Sequence, residues 1–142
     1  MTDTEIKNFN EDAAIPTSIA PWLLVRNSVK AVDFYKSAFG AIAVYRLEAP
    51  DGSLVVARLS MDGAEFWLGE SSSENDNQNP GSFRENPIRM ILTVTDPDAL
   101  FNLALTAGAT EIFPVGEEHG WRLGRLVDPF GHHWEIGRPL TS

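Results

Sequence analysis

Apolar and polar positions along the chain change rhythm several times, and each change marks an element. Ile19 to Val25 is a short apolar run that predicts a strand. Asn27 or Ser28 can cap the helix that follows, where Val29, Val32, Phe34, Tyr35, Ala38 and Phe39 fall roughly at helical spacing and Gly40 is a terminator. Three strands come next, near Ile42–Glu48, Leu54–Ser60 and Ala64–Gly69. Asp51-Gly52 and Asp62-Gly63 stand between them, and Asp-Gly between alternating runs is a strong hairpin signal. The second half repeats this order. Ile88–Thr95 reads as a strand, and Asp96 caps a helix that has Pro97 at its first position. Leu100, Phe101, Leu103, Ala104 and Ala107 carry that helix to Gly108. Strands follow near Glu111–Val115, Trp121–Val127 and His132–Gly137.

An offset of 69 positions matches Val25 to Val94, Asn27 to Asp96, Val32 to Phe101, Phe34 to Leu103 and Ala38 to Ala107. Such self-similarity indicates an internal repeat. The expected fold is α+β, with two tandem β-α-β-β-β modules at residues 18–69 and 88–138 forming a single domain, 18–138. The polar stretch 70–87 has no periodicity and reads as a linker or flap. Residues 1–17 read as a flexible arm and 139–142 as a tail.

Strand side chains alternate faces, so each strand sorts its residues into two sets. In the four strands that bracket the modules, one set is Leu23, Val25, Phe66, Leu68, Met90, Leu92, Val94, Trp134 and Ile136. All are apolar and should pack on the helices. The other set is Ala20, Trp22, Leu24, Glu65, Trp67, Arg89, Ile91, Thr93, His133 and Glu135. Two tryptophans do not suit a solvent face, and four ionisable groups do not suit a plain core. Apolar walls with a few convergent polar groups describe a small-molecule pocket. Each member also has a plain structural role: the tryptophans as filler between modules, His133 as a hydrogen-bonded, half-buried side chain rather than a general base or ligand. Arg122 and Arg125, with Trp121 on one strand, suit a solvated or subunit surface better than an anion site. His119, beside Gly120, falls in a loop.

The turn Asp128-Pro129-Phe130-Gly131 feeds the last strand, and Asp128 and His132 should hold that turn rather than do chemistry. Composition removes several classes. The formal charge of −9 would repel phosphate backbones, so nucleic acid is not an expected partner. The chain has no cysteine, which excludes disulfides, thiolate metal sites and cysteine nucleophiles. No basic segment leads an apolar run at the N-terminus, and no apolar stretch approaches the ~18 residues of a membrane span. A cytoplasmic protein without membrane contact is the expectation. No G-x-S-x-G elbow, glycine-rich phosphate loop or H-E-x-x-H occurs.

Ser28-Val29-Lys30-Ala31-Val32-Asp33-Phe34-Tyr35 with Phe39-Gly40, Asp51-Gly52, and Asp128-Pro129-Phe130-Gly131-His132 resemble the vicinal oxygen chelate superfamily of glyoxalases, bleomycin-resistance proteins and extradiol dioxygenases, in its PhnB-like subgroup. The resemblance covers residues 18–138 and implies a curled mixed sheet in each module and a homodimer. Metal-using members bind a divalent ion with side chains from the first and last strand of each module. Carried over, those positions fall on Ala20, Trp67, Arg89 and Glu135. Only Glu135 can ligate, because Ala and Trp offer no ligand and Arg has no lone pair. A catalytic metal generally needs three protein ligands. The resemblance therefore implies a binding protein without a cofactor, holding an aromatic or amphipathic molecule through Trp22, Glu65, Trp67, Arg89, His133 and Glu135. Two alternatives stand beside it. One is a lyase or dioxygenase with a displaced divalent metal at Glu65, His133 and Glu135; the other is an interaction module with a vestigial pocket. In the metal-free case Arg89 would fill the ion's place and pair with Glu135 or Glu65.

Overall fold

A computed structural model describes residues 18–71 and 88–140. The expected arm, most of the expected linker or flap, and the last two residues lie outside the described residues. The element order is β1 (Trp22–Val25), α1 (Ser28–Phe39), β2 (Ile42–Glu48), β3 (Leu54–Met61), β4 (Ala64–Glu70), β5 (Arg89–Thr93), α2 (Pro97–Ala107), β6 (Thr110–Glu118), β7 (Trp121–Val127) and β8 (His133–Pro139). Two four-stranded sheets result, ordered β1-β4-β3-β2 and β5-β8-β7-β6. β1 pairs parallel to β4 and β5 parallel to β8, while the other neighbours are antiparallel. Neither sheet closes on itself.

The repeat is visible in the helix ends. Asn27 accepts from the Lys30 N–H and Asp96 from the Ala99 N–H, each at 3.1 Å, so equivalent residues cap both helices. Gly40 ends α1 at φ 71°, a left-handed conformation that glycine adopts without a steric penalty. Asp62 and Gly63 take φ 56° and 95°, which gives the tight hairpin between β3 and β4.

Several boundaries differ from the sequence expectation. β1 starts at Trp22 because Pro21 has no N–H for the ladder, although its carbonyl still accepts from Trp67 N at 2.9 Å. Ala20 is therefore exposed and lies off the ladder. β4 includes Glu70, which is not linker: its Oε1 accepts from Ser28 N and Ser28 Oγ at 2.8 and 2.7 Å. β6 is longer than expected and passes through Pro114, which is tolerated because β6 is an edge strand with register shifts around it. Val29 and Leu103, which fall within the helical apolar pattern, are exposed.

The apolar set of strand positions lies on the helix side. Leu23, Val25, Phe66, Leu68, Leu92, Trp134 and Ile136 are buried with α1 residues Ala31, Val32, Phe34, Tyr35, Ala38 and Phe39 in one continuous core, with Met90 and Val94 packed against it. Trp134 of the second sheet meets Phe66 of the first at 5.5 Å between ring centroids, and Phe39 of α1 at 4.8 Å. Both sheets thus turn their helix-covered faces to a shared core. Their other faces point outward, away from each other.

Candidate functional site

The outward face of the first sheet carries an aromatic row. Ladder register places Trp22 beside Trp67, Trp67 beside Arg58, and Arg58 beside Tyr45. Trp22 and Trp67 stack with centroids 6.2 Å apart and planes 16° apart. Tyr45 meets Trp67 edge-on at 5.9 Å, and the Arg58 guanidinium lies 5.3 Å from the Trp67 ring centroid, within cation–π range. The Trp22 indole rests on Gly69, where an added Cβ would lie 2.4 Å from a ring carbon. That glycine lets Trp22 lie flat on the sheet. Glu65 Oε1 is 3.4 Å from Arg58 Nε, in ion-pair geometry. Trp22 is 55% exposed, and Leu24, Tyr45 and Leu47 are exposed as well.

The outward face of the second sheet carries the charged groups. Arg89 Nε lies 3.6 Å from Glu135 Oε2, so of the two carboxylates expected as its partner, Glu135 is the one it meets. His133 is 1% exposed. Its Nδ1 accepts from Arg125 Nε at 3.3 Å and faces Arg125 Nη2 at 3.0 Å. A guanidinium only donates, so Nδ1 carries no proton and Nε2 carries it. Ile91, Trp121, Leu123, Glu135 and Gly137 line a small open cavity of about 160 Å³ on this face. A larger cleft of about 630 Å³ lies elsewhere, between the modules near the ends of α1 and β5, lined by Phe39, Met61, Leu92, Leu100 and others. It holds none of the predicted site residues.

Burial lowers the pKa of His133 below 6.5, and Arg125, Arg89 and His132 push the same way against Asp128. The folded state therefore resists protonation more than the unfolded chain does. Stability from this group is complete above the unfolded pKa and is lost as pH falls through the folded one. The melting temperature should fall as pH drops below the usual imidazole range, and His133→Gln should flatten that fall, as thermal unfolding at several pH values would show. A profile unchanged by the substitution would remove His133 as its source.

The six predicted residues fall into two groups. Trp22, Glu65 and Trp67 belong to the first sheet, and Arg89, His133 and Glu135 to the second. Within one chain the groups point to opposite sides, so Glu65 does not join His133 and Glu135 as a metal site would need. Among the described residues no three His, Asp or Glu side chains come together to hold a metal ion. Arg89 puts a guanidinium against Glu135, the one matching position that can ligate. The donor set in one chain does not fit a divalent ion.

Tyr45 and Arg58 are additions from the structure, and Arg125, set aside in the sequence as a surface residue, joins them. Parity within β2, β3 and β7 could have flagged them, but only ladder register sets them beside Trp67 and His133. Arg122, on the same strand as Arg125, lies on the opposite face and pairs with Asp98, both contacts at 2.7 Å. Asp128 and His132 hold the turn as expected: Asp128 Oδ1 accepts from the backbone N–H groups of Phe130 and His132, each at 2.9 Å, and His132 Nε2 reaches Leu24 O at 2.9 Å. His119 is exposed in its turn, with φ 53°.

The sequence profile of the Glyoxalase/Bleomycin resistance protein/Dioxygenase superfamily matches residues 17–136. Uncharacterized protein Rv0887c of Mycobacterium tuberculosis is 37% identical over 132 residues, covering 90% of this chain and 78% of that protein. TioX from Micromonospora sp. ML1 is similar in structure, with TM-score 0.69 and 25% identity over 88% of this chain and 100% of that one. A gene product of Arabidopsis thaliana gives TM-score 0.64 and 27% identity over 87% of this chain and 100% of that one. No helix among the described residues is long and apolar enough to cross a membrane.

Proposed function

The chain belongs to the glyoxalase/bleomycin resistance protein/dioxygenase superfamily, and from that membership we propose that it binds a small aromatic or amphipathic molecule in a pocket between sheets, without a metal. The observation that carries this is the Trp22–Trp67–Tyr45 row, an exposed aromatic platform with a cation and a carboxylate at its side. Contiguous exposed apolar faces mark binding surfaces. The second sheet supplies the opposite wall, with Ile91, Leu123 and Trp121 apolar and Arg89 and Glu135 polar. Because the two faces point apart in one chain, the pocket forms when the first sheet of one copy faces the second sheet of another. A two-fold dimer would contain two such pockets. This arrangement makes the single domain 18–138 half of each of two sites.

Support for a metal-free pocket comes from Arg89, whose guanidinium pairs with Glu135. The experiment is metal analysis of protein purified without chelator, repeated after excess nickel, zinc, manganese or ferrous iron, followed by a thermal-shift screen of aromatic molecules. Metal below about 0.1 ion per chain, with melting raised by aromatic ligands and not in Trp67→Ala, is the expected result. Stoichiometric metal would favour lyase or dioxygenase chemistry. Neither metal nor ligand would favour an interaction module with a filled pocket.

A further inference from the structure

We infer that the Arg125 guanidinium is the receptor for an oxyanion on the bound molecule, a carboxylate or a phosphate, which makes the ligand an aromatic acid or aromatic phosphate. The inference rests on the pocket proposed above and adds the ligand's charge.

Ladder register sets Arg125 directly opposite Glu135, the natural carboxylate partner for it. The side chain does not take that partner. It turns to the neutral His133 ring and leaves Glu135 to Arg89. Among the described residues no carboxylate lies within ion-pair distance of Arg125, whereas Arg46, Arg58, Arg89 and Arg122 each have one. Arg125 is half-buried, and a cation withdrawn from water without a counter-ion is costly. Two guanidinium donors are spent on His133, which fixes the planar fork, and the remainder have no partner among the described residues. A pre-oriented fork with unspent donors suits bidentate binding of carboxylate or phosphate.

Local charge agrees. Close to His133, Arg89 and Arg125 stand against one carboxylate, Glu135, while the other carboxylate of this face, Glu118, lies at its far end opposite Trp121. His133 adds a second donor surplus, since its buried Nε2–H also has no partner among the described residues. The apolar cavity walls of Ile91, Leu123 and Trp121 lie on the same face of the sheet as Arg125. An aromatic ring against those walls and an acid group on the fork would satisfy both halves of the face.

The test compares 2-naphthoate, 2-naphthyl phosphate and neutral 2-naphthamide by calorimetry on the full chain. At least one anion should bind about tenfold or more tightly than the amide, and which anion does so separates carboxylate from phosphate recognition. Arg125→Gln should bring the anion down to the level of the amide. Arg125→Lys, which keeps the charge and loses the fork, should keep part of the preference and guards against a misfolded glutamine variant. Equal binding of anion and amide, or a preference that survives in Arg125→Gln, would overturn the oxyanion site and leave the pocket standing. No binding of any of the three would overturn the pocket, and the oxyanion site with it.

Discussion

Replacing Asp128 with alanine is expected to lower the unfolding free energy by about 3–5 kcal/mol, because several buried donors lose one shared acceptor together. Asp128 is 2% exposed and sits where the two modules meet. Its Oδ1 accepts from the Phe130 and His132 N–H groups and closes the turn. Its Oδ2 accepts from Trp134 Nε1 at 2.9 Å and from the Tyr35 hydroxyl. Tyr35 lies 93 residues away on α1 and is fully buried. Burial, and then the Asp128 charge, hold the Tyr35 pKa well above its usual value, so the phenol remains a donor. Alanine would orphan two buried side-chain donors and two turn N–H groups at once, each worth roughly 1–3 kcal/mol and not simply additive.

The Asp128→Asn variant would retain one side-chain acceptor. The new amide N–H would face the Trp134 N–H, while the Tyr35 hydroxyl could turn to accept, so this substitution should cost less than alanine. Tyr35→Phe removes one bond of the four and should cost about 1–2 kcal/mol. Urea unfolding monitored by tryptophan fluorescence measures all three. A loss below about 1 kcal/mol for the alanine variant would show that the bond network contributes little across the module junction.

Much of this junction is legible in the sequence, but only locally. Asp-Pro and the following glycine mark the turn, and alternation after it assigns Trp134 and Ile136 to the core side, where they are buried. The bond from Tyr35 to Asp128 leaves no local trace, because periodicity reports which face a residue takes and not what meets it. The candidate site shows the same limit. Parity separates Trp22 and Trp67 from the core face, and Arg89 and Glu135 pair as one of two options allowed. Parity is defined strand by strand, however, so it joins six residues that in one chain divide between two outward faces. What divides them is the meeting of Phe66 and Trp134 on the helix side, a packing fact with no periodic signature. Arg125 reads as a plain surface residue for a related reason: its lack of a carboxylate follows from the rotation of its guanidinium toward His133, which sequence spacing does not encode.

The second large effect is expected from mixing two inactive variants. Trp67→Ala removes the platform of the first sheet. Ile91→Asp places a carboxylate on the apolar wall of the second, at a position 59% exposed and therefore tolerant of charge in the fold. Each variant alone should bind none of the naphthalene ligand that the unmutated chain prefers. If a pocket takes one sheet from each of two copies, a mixed dimer has both lesions in one pocket and neither in the other. After random exchange of equal amounts, about half of the dimers are mixed and about one site per four chains is intact. Calorimetric stoichiometry should therefore rise from zero to about a quarter, with the affinity of the unmutated protein, while native mass spectrometry of a mass-tagged variant reports how many mixed dimers have formed. If mixed dimers form and binding remains at zero, the pocket does not draw one wall from each copy. Recovery can come only from a site shared between copies, because no chain in the mixture carries both intact faces.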